Sequence, residues 1–479
     1  MTDSDPHTTT RRRFLKSAAA TGAATAASAA ALNAISPSIW HEQMQFPPNR
    51  SYWSLALPAP NASLNRDLEV DTAVIGGGFT GLSAAYYLKQ AQPQRRVVLL
   101  EASRCGNGAS ARNGAMLLTM TEERYMTWTG EPEIDKKLYE LTVDNIQRLK
   151  NLSAATRIDA DIEQNGALQV ANTLDLADRA REFCGKAKPA GFPFEFWDRQ
   201  KISGAIGTSV YPGAYFDPYS GQLHPGKLVH VFKQAAESSG VEIYEASPVV
   251  HVDVAGPICI TIAAGKTVKA RNLILATNAF TSKLGLLRRA VSPLMEYVGI
   301  TAPLPEDKLR EIGWKQRIPF NDCRTEVFYL GLTKDNRIHI GGGLADYEFN
   351  NGVAEPPNAA RRYNQLQDEL GFIYPSLAPV PLELNWNGAV DYSLDATPSV
   401  GRLPGHDHVF YAIGFSGHGV NLTSVFGRIL ADLVQGKSSE WIWLPYLDRL
   451  PPYIPNEPFR WLGIQVAIGV TRRTDPNKP

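Results

Sequence analysis

The sequence predicts an α/β fold, α+β overall, in which one domain is assembled from separate segments and a β-rich layer covers it. Residues 70–102 form a complete strand–turn–helix–strand unit. Strands and helices of the same kind return near residues 220–280 and 385–436, with β-rich sequence between the segments. Strands that alternate with helices form parallel sheets, so the three segments are expected to share one sheet.

The unit at residues 70–102 reads VDTAVIGGGFTGLSAAYYLKQAQPQRRVVLLEA. Its pattern predicts a strand over 70–75, a helix over 82–90 and a second strand over 97–100, which ends at Glu101. Three glycines at the G-x-G-x-x-G spacing separate the first strand from the helix. This order of elements is that of a Rossmann-like dinucleotide-binding unit.

Each part of this motif has a physical role. Gly76 permits the tight turn, Gly78 lets the backbone approach a pyrophosphate, and Gly81 lets the helix pack closely on the strand. The helix start offers N–H groups and a positive dipole end to the phosphate. Glu101, 20 residues past Gly81, is placed to accept hydrogen bonds from a ribose hydroxyl. An ordinary glycine turn leaves this acid unexplained, so we predict a nucleotide site.

Residues 1–40 resemble a twin-arginine export signal, which is expected to be cleaved from the mature protein. The stretch TRRRFLK at 10–16 precedes a run of small residues at 17–32 that is short and weakly apolar for a membrane span. The alternative is a basic tail ahead of an alanine-rich helix. The export interpretation predicts a periplasmic protein, with the cleavage site at either 27–29 or 29–31.

Charge and cysteine content exclude several classes of function. The 479 residues carry 48 basic and 48 acidic side chains, which argues against a nucleic-acid surface. The four cysteines are widely spaced and form no metal-binding pattern, so no metal is predicted. A disulfide is chemically feasible in an oxidising compartment, but the spacing does not pair the cysteines.

About 440 residues remain after the signal, which suits two connected domains. Residues 41–66 are expected to form an extended arm, and 441–479 a C-terminal extension. The nucleotide-binding domain is predicted from residues 67–120, 200–290 and 385–440, and the second domain from 121–199 and 291–384.

The apolar segment 459–470 has Arg460 near its start and Arg472 and Arg473 after it. A terminal helix packed on the domain is the favoured interpretation. A peripheral contact with a membrane surface is the alternative.

Several further motifs identify a family. They are SYW at 51–53, the GGGFTGLSAA turn, GNGASARNGA, GQLHP, ATN at 276–278, IHIGGG and GFSGHGVNLTSVFGR. Together they resemble the D-amino-acid-oxidase-like FAD oxidoreductases, closest to the gamma-glutamylputrescine oxidoreductase type. The resemblance covers nearly everything after residue 50. It implies a discontinuous FAD-binding domain and an antiparallel-sheet substrate domain.

The resemblance and the motifs together assign the residues that contact FAD. The glycine turn holds the pyrophosphate, Val249 lies by adenine, and residues 417–420 lie by the pyrimidine edge of the flavin ring. The full predicted set is Gly76, Gly78, Phe79, Thr80, Gly81, Glu101, Ala102, Gly108, Ala109, Ser110, Arg112, Asn113, Gly114, Val249, Ala276, Thr277, Gly414, Gly417, His418, Gly419 and Val420.

A physical argument that does not depend on the resemblance also predicts a flavin site at the start of the last long helix. Gly419 stands where that helix begins, so the positive end of its dipole would face the flavin and stabilise negative charge on the reduced ring. A tight turn before a core helix is the alternative. The early loop carries no histidine and the hairpin at 334–343 carries no cysteine, so FAD is predicted to be bound noncovalently.

The implied reaction is oxidation of a C–N bond in a small amine or amino acid, giving an imine that hydrolyses. Oxygen or a quinone is the expected electron acceptor. Two alternatives are an FAD-dependent monooxygenase and a non-catalytic flavin-bearing maturation protein. The sequence shows one dinucleotide-binding motif, whereas a monooxygenase would also need to bind reduced nicotinamide. This difference argues against the monooxygenase.

Arg112 and His418 are the candidate catalytic residues. Arg112 is predicted either to bind a substrate carboxylate or to make a phosphate or structural contact. His418 either lines the substrate pocket or hydrogen-bonds the flavin, and the second role is favoured.

Other candidates have ordinary structural alternatives. For His224, a helix cap is favoured over catalysis. Trp386 and Tyr329 are predicted either as aromatic walls around an amine or as core residues, and the core role is favoured. Asp391 and Asp395 are predicted either to attract a cation or to lie in a solvated loop.

Overall fold

The computed structural model describes residues 51–119 and 131–474. The predicted export signal and residues 41–50 of the predicted arm lie outside the described residues. The strands are β1 (Leu68–Ile75), β2 (Val97–Leu100), β3 (Met116–Leu117), β4 (Ala167–Ala171), β5 (Glu195–Asp198), β6 (Gly213–Asp217), β7 (Gly221–Gln222), β8 (Glu242–Tyr244), β9 (Val249–Asp253), β10 (Ile258–Ile262), β11 (Thr267–Leu275), β12 (Ser292–Thr301), β13 (Phe320–Asp322), β14 (Phe328–Leu332), β15 (Ile338–Gly342), β16 (Leu382–Tyr392), β17 (Ser399–Leu403) and β18 (His406–Ile413). The α-helices are α1 (Phe79–Ala91), α2 (Pro132–Thr156), α3 (Leu174–Ala187), α4 (Arg199–Ile206), α5 (Pro225–Ser238), α6 (Glu306–Ile312), α7 (Ala359–Ile373), α8 (Gly419–Val434) and α9 (Phe459–Thr474).

The first sheet joins strands from distant parts of the chain in the order β17-β18-β11-β1-β2-β8. The pairs β18–β11, β11–β1, β1–β2 and β2–β8 are parallel. Every residue of β2 is buried, as expected for a parallel strand covered on both faces. The predicted α/β fold with a discontinuous nucleotide-type domain is therefore confirmed.

Alternate residues of these strands face two different layers. Val74 belongs to the core formed with α1, α5 and α8, whereas Ala73 and Ile75 belong to the core beneath β9 and β10. Two of the helices approach closely at Gly427 of α8, where an added Cβ would lie 1.9 Å from Ser83 Oγ of α1. This packing fixes the starts of α1 and α8 relative to the sheet.

The second sheet has the order β16-β12-β15-β14-β13-β4-β6-β5. Its pairs are antiparallel except β13–β4, which is parallel. The expected hairpin is present, with β14 and β15 joined by the turn at residues 333–337. The antiparallel-sheet domain implied by the resemblance is thus present.

Sheet membership moves three segments relative to the predicted domain boundaries. β6 and β16 pair within the second sheet, although residues 200–290 and 385–440 were assigned to the first domain. α2 was assigned to the second domain, but its apolar side shares a core with α8. Asn145 Nδ2 also donates to Asn421 Oδ1 of α8 at 2.8 Å. The positions of β6, β16 and α2 are therefore decided by strand hydrogen bonds and by the apolar side of the helix, and not by their neighbours along the chain.

The C-terminal segment forms α9, which packs on the second sheet. Ile464 and Ile468 lie in a cluster with Leu294 and Tyr392. The favoured interpretation of a terminal packed helix is therefore confirmed. Within the described ranges, no helix has the length and apolar character needed to cross a membrane.

Candidate active site

A cavity lies between the carboxyl ends of the parallel strands and one side of the second sheet. It brings together every predicted FAD-contact residue except Gly81 and Gly414. The second sheet contributes residues that the prediction of FAD contacts did not include, namely Glu296, Val298, Tyr329, Gly388, Val390 and Asp391. Ligands of open α/β sheets bind at this edge, so the cavity stands where the motif predicted it.

The glycine turn has the geometry that its motif requires. Gly76 adopts a φ of +107°, and an added Cβ would lie 2.4 Å from the carbonyl oxygen of Ala276. A Cβ on Gly81 would lie 1.9 Å from the carbonyl oxygen of Gly76. Gly78 precedes the first turn of α1, and the N–H of Phe79 donates to Ser110 Oγ at 2.9 Å. Small residues thus leave the helix start open to a phosphate.

Glu101 makes contacts within the protein that the motif did not predict. One carboxylate oxygen accepts from Gly77 N–H at 2.7 Å, and the other accepts from Ser103 N–H at 3.0 Å. Burial raises the pKa of Glu101, and the hydrogen bonds from Ser103 and Gly77 oppose that rise. The residue therefore fixes the glycine turn from the end of β2 and lines the cavity at that point.

Arg112 is buried in the loop at residues 103–118, and its guanidinium contacts the protein. Nε donates to the carbonyl oxygen of Asn107 at 2.8 Å, and Nη1 donates to the carbonyl oxygen of Asn387 at 3.0 Å. Nη2 donates to Asn107 Oδ1 at 3.2 Å. These bonds match the structural alternative and argue against a carboxylate-binding catalytic role, because the donors are directed at loop and strand acceptors.

The two aromatic candidates occupy different environments. Trp386 is a core residue, since it is 2 % exposed and its Nε1 donates to the carbonyl oxygen of Arg112 at 3.0 Å. Tyr329 lines the cavity. A Cβ on Gly114 or on Gly341 would approach the Tyr329 ring to 2.2 or 2.3 Å, so two glycines make room for that ring. The favoured core role therefore holds for Trp386, whereas Tyr329 lies on the wall of the cavity.

The turn that leads into α8 carries several residues with positive φ. Gly414, Ser416 and Gly417 have φ values of 78°, 50° and 92°. His418 and Gly419 follow at the start of α8 and line the cavity. The positive end of this helix dipole therefore points into the site.

Asp391 holds this turn from the second sheet. Its Oδ2 accepts from Gly414 N–H at 2.6 Å, and the residue is fully buried. Burial raises the pKa of Asp391 to about 7, against the hydrogen bonds from the backbone of Gly414 and Phe415. The solvated-loop alternative is wrong for this residue, because β16 extends far enough to bury it.

Asp395 and His224 lie away from the described cavity lining. Asp395 forms an ion pair with Arg449. His224 caps α5, where its Nδ1 accepts from Lys227 N–H at 3.3 Å, and burial lowers its pKa to about 4. The predicted capping role of His224 is confirmed, and the cation-attracting role of Asp395 has no support in its position.

Fold and site together define a protein of the dinucleotide-binding class, with one cavity lined by residues of both large sheets. No group of metal-ligating side chains occurs among the residues of the described ranges. The family described as DAO, FAD dependent oxidoreductase, matches residues 71–433. The chain therefore belongs to this family of FAD-dependent oxidoreductases, and FAD is its cofactor.

Comparison with individual proteins agrees with the family. The chain is 30 % identical to gamma-glutamylputrescine oxidoreductase of Escherichia coli over 407 residues, which are 82 % of this chain and 90 % of that protein. It is 30 % identical to the probable oxidoreductase OrdL of Haemophilus influenzae over 76 % of this chain and 83 % of that protein. The crystal structure of glycine oxidase from Geobacillus kaustophilus superposes with a TM-score of 0.68, at 21 % identity, over 81 % of this chain and 100 % of that one.

Proposed function

We propose that the protein oxidises the C–N bond of a small amine or amino acid, giving an imine that water hydrolyses. The observation that carries this proposal is one continuous cavity. It runs from the glycine turn, past the start of α8, to the side chains of the second sheet. The names of the similar proteins, gamma-glutamylputrescine oxidoreductase and glycine oxidase, support a nitrogen-bearing substrate.

FAD, when bound, supplies a hydride acceptor for the carbon beside the substrate nitrogen. The residues of this chain hold the cofactor and shape the space beside it. Gly76 and Gly78 would admit the pyrophosphate, and the start of α8 would stabilise negative charge on the reduced cofactor. Tyr329 and Val298 restrict water on the substrate side of the cavity.

Anaerobic mixing with a panel of amines and amino acids tests this function. The visible flavin absorbance is expected to bleach with at least one amine and without NADPH. Bleaching by NADPH alone would instead indicate a monooxygenase. Failure of every compound to bleach the flavin would favour a non-catalytic flavin protein.

The electron acceptor that we propose is oxygen or a quinone. Peroxide formed in air during turnover would indicate oxygen. A quinone is supported by the outer side of α9, where Trp461, Leu462 and Val466 are exposed ahead of Arg472 and Arg473 in the sequence. An exposed apolar helix side followed by basic residues suits a membrane surface.

We further propose that FAD is held without a covalent bond. The early loop has no histidine, and Cys105, its cysteine, is buried with a pKa raised by that burial. A protonated buried thiol is a poor nucleophile. Acid precipitation is expected to release the flavin into the supernatant, and yellow colour retained in the washed pellet would contradict the proposal.

Export by the twin-arginine route to the periplasm is also proposed, from the TRRRFLK stretch at residues 10–16. Replacing Arg11 and Arg12 together by lysine is expected to leave the full-length protein in the cytoplasm. Cell fractionation measures this, with wild type as the control. Equal periplasmic amounts of the two proteins would rule out the proposed route.

A further inference from the structure

Glu296 is an acid in the middle of a buried strand. Of the ten residues of β12, it is the one that is not buried, and it lines the cavity. Tyr392 OH donates to its Oε1. A carboxylate that faces a cavity can pair with a cationic ligand through charge-assisted hydrogen bonds.

The strand register places Glu296 on the substrate side. Its partner across β16 is Gly388, and the side chain of Arg112 packs over that glycine, since an added Cβ would lie 3.1 Å from Arg112 Cβ. Val298 lies two residues along β12 from Glu296. It pairs with Trp386 of β16 on one side and with Gly341 of β15 on the other. Gly341 in turn pairs with Tyr329 of β14. Glu296 therefore stands one row from Tyr329 and Val298 on the wall that faces the cofactor-binding domain.

The other charged residues of the described cavity lining are engaged in holding backbone. Glu101 binds the glycine turn, Asp391 binds Gly414, and Arg112 donates to Asn107 and Asn387. Among the described residues that line the cavity, Arg112 is the side chain with a permanent positive charge, and its guanidinium donates to acceptors within the protein. A substrate carboxylate thus meets a guanidinium already engaged by the protein, whereas a substrate cation meets Glu296.

We propose that Glu296 binds the substrate in its ammonium form, which gives one proton to solvent water before the adjacent C–H bond breaks, and that the site selects cationic amines without an α-carboxylate over amino acids. This inference rests on the proposed function and names its substrate class. Tyr329 adds an aromatic surface beside the cation. Glu296 acts in binding, so its removal is expected to change the concentration needed for saturation more than the limiting rate of flavin reduction.

Two ligands of matched shape test the charge preference without turnover. tert-Butylammonium has no hydrogen on the carbon attached to nitrogen and is not oxidised by hydride loss, and pivalate is its anionic counterpart. Perturbation of the visible spectrum of the FAD-loaded protein measures binding. We expect tert-butylammonium to bind more tightly than pivalate. Equal binding, or tighter binding of pivalate, would overturn the proposal.

Glu296→Gln is the variant that tests the residue. Hydrogen bonds to charged groups contribute about 1.5–3 kcal/mol, so tert-butylammonium is expected to bind roughly tenfold to a hundredfold more weakly. Glu383→Gln is the matched control, because Glu383 lies on β16, pairs with Arg337 and is 48 % exposed. Unchanged binding by Glu296→Gln, in a variant with wild-type flavin content, would contradict the assigned role.

Oxidisable compounds separate failure of this inference from failure of the proposed function. Butylamine and 1,4-diaminobutane are expected to bleach the flavin, and glycine and alanine are expected to leave it oxidised. Bleaching by the amino acids alone would overturn the inference and leave the proposed function intact. If no compound bleaches the flavin, the proposed function fails. The proposed substrate class then fails as well, even if tert-butylammonium binds to the protein.

Discussion

Replacing Gly81 by valine is expected to weaken FAD binding and to lower the flavin content of the purified protein. An added Cβ would lie 1.9 Å from the carbonyl oxygen of Gly76 and 3.3 Å from Ala276 Cβ. The first neighbour is backbone of the turn itself, so the start of α1 must move away from β1. Gly81 lies outside the cavity lining, and its effect on FAD is therefore transmitted through the turn.

The expected loss follows from the cost of overpacking. Forcing extra atoms into a packed site costs about 1–3 kcal/mol and occasionally more. At about 1.4 kcal/mol per tenfold change, FAD binding weakens by roughly tenfold to more than a hundredfold. The measurement is visible flavin absorbance per polypeptide after purification, followed by titration of the apoprotein with FAD.

Gly204→Ala is the control for a helical glycine. A Cβ at Gly204 in α4 meets no atom within 4 Å. This variant is expected to keep wild-type flavin content and to gain about 0.5–1 kcal/mol in stability from reduced chain entropy. If Gly81→Val is as yellow as Gly204→Ala, then close packing of α1 on the turn is not needed for FAD binding.

The first half of the site was predictable because its chemistry is local in sequence. Gly76, Gly78, Gly81 and Glu101 lie within one strand–turn–helix–strand unit, so spacing alone places them. The start of α8 was predictable for the same reason, since a glycine-rich turn opens a long apolar helix. Short-range patterns of this kind report backbone conformation directly.

The substrate side depends on pairing between distant strands and was less predictable. Glu296 and Gly388 become neighbours through the register of β12 with β16, which no local pattern specifies. One signal was present, since Glu296 is a lone acid in the otherwise apolar or small-residue run SPLMEYVGIT. Asp391 gave a similar signal in NWNGAVDYS, but its partner, Gly414, lies 23 residues away, and no local pattern indicates that contact.

Arg112 shows why residue type alone did not decide a role. Its position near the cofactor was predictable from the loop, and the structure places it in the cavity lining. Its acceptors, Asn107 and the carbonyl oxygen of Asn387, include one from a strand 275 residues away. An arginine next to a cofactor site therefore stabilises the contact between the two domains here, through hydrogen bonds that the sequence pattern did not show.

Lys233→Met is expected to destabilise the protein by about 3–5 kcal/mol, because it leaves the buried Glu245 carboxylate without its cation. Lys233 Nζ lies 2.5 Å from Glu245 Oε2, and the two side chains are 2 % and 0 % exposed. Glu245 also accepts from Cys105 N–H at 2.6 Å, and Lys233 donates to the carbonyl oxygen of Ala59 at 2.8 Å. The pair therefore joins α5, β8, the arm and the loop that lines the cavity.

Chemical denaturation measures the loss as a lower midpoint at unchanged slope. Flavin release is expected to shift with unfolding, because Cys105 lies in the loop at residues 103–118, which lines the cavity. Lys201→Met is the matched control: its pair with Glu195 is 50 % and 56 % exposed, and exposed pairs contribute about 0–1 kcal/mol. Combining Lys233→Met with Glu245→Leu is expected to recover part of the stability by removing the buried charge. If Lys233→Met unfolds at the same midpoint as Lys201→Met, the buried pair does not anchor this part of the site.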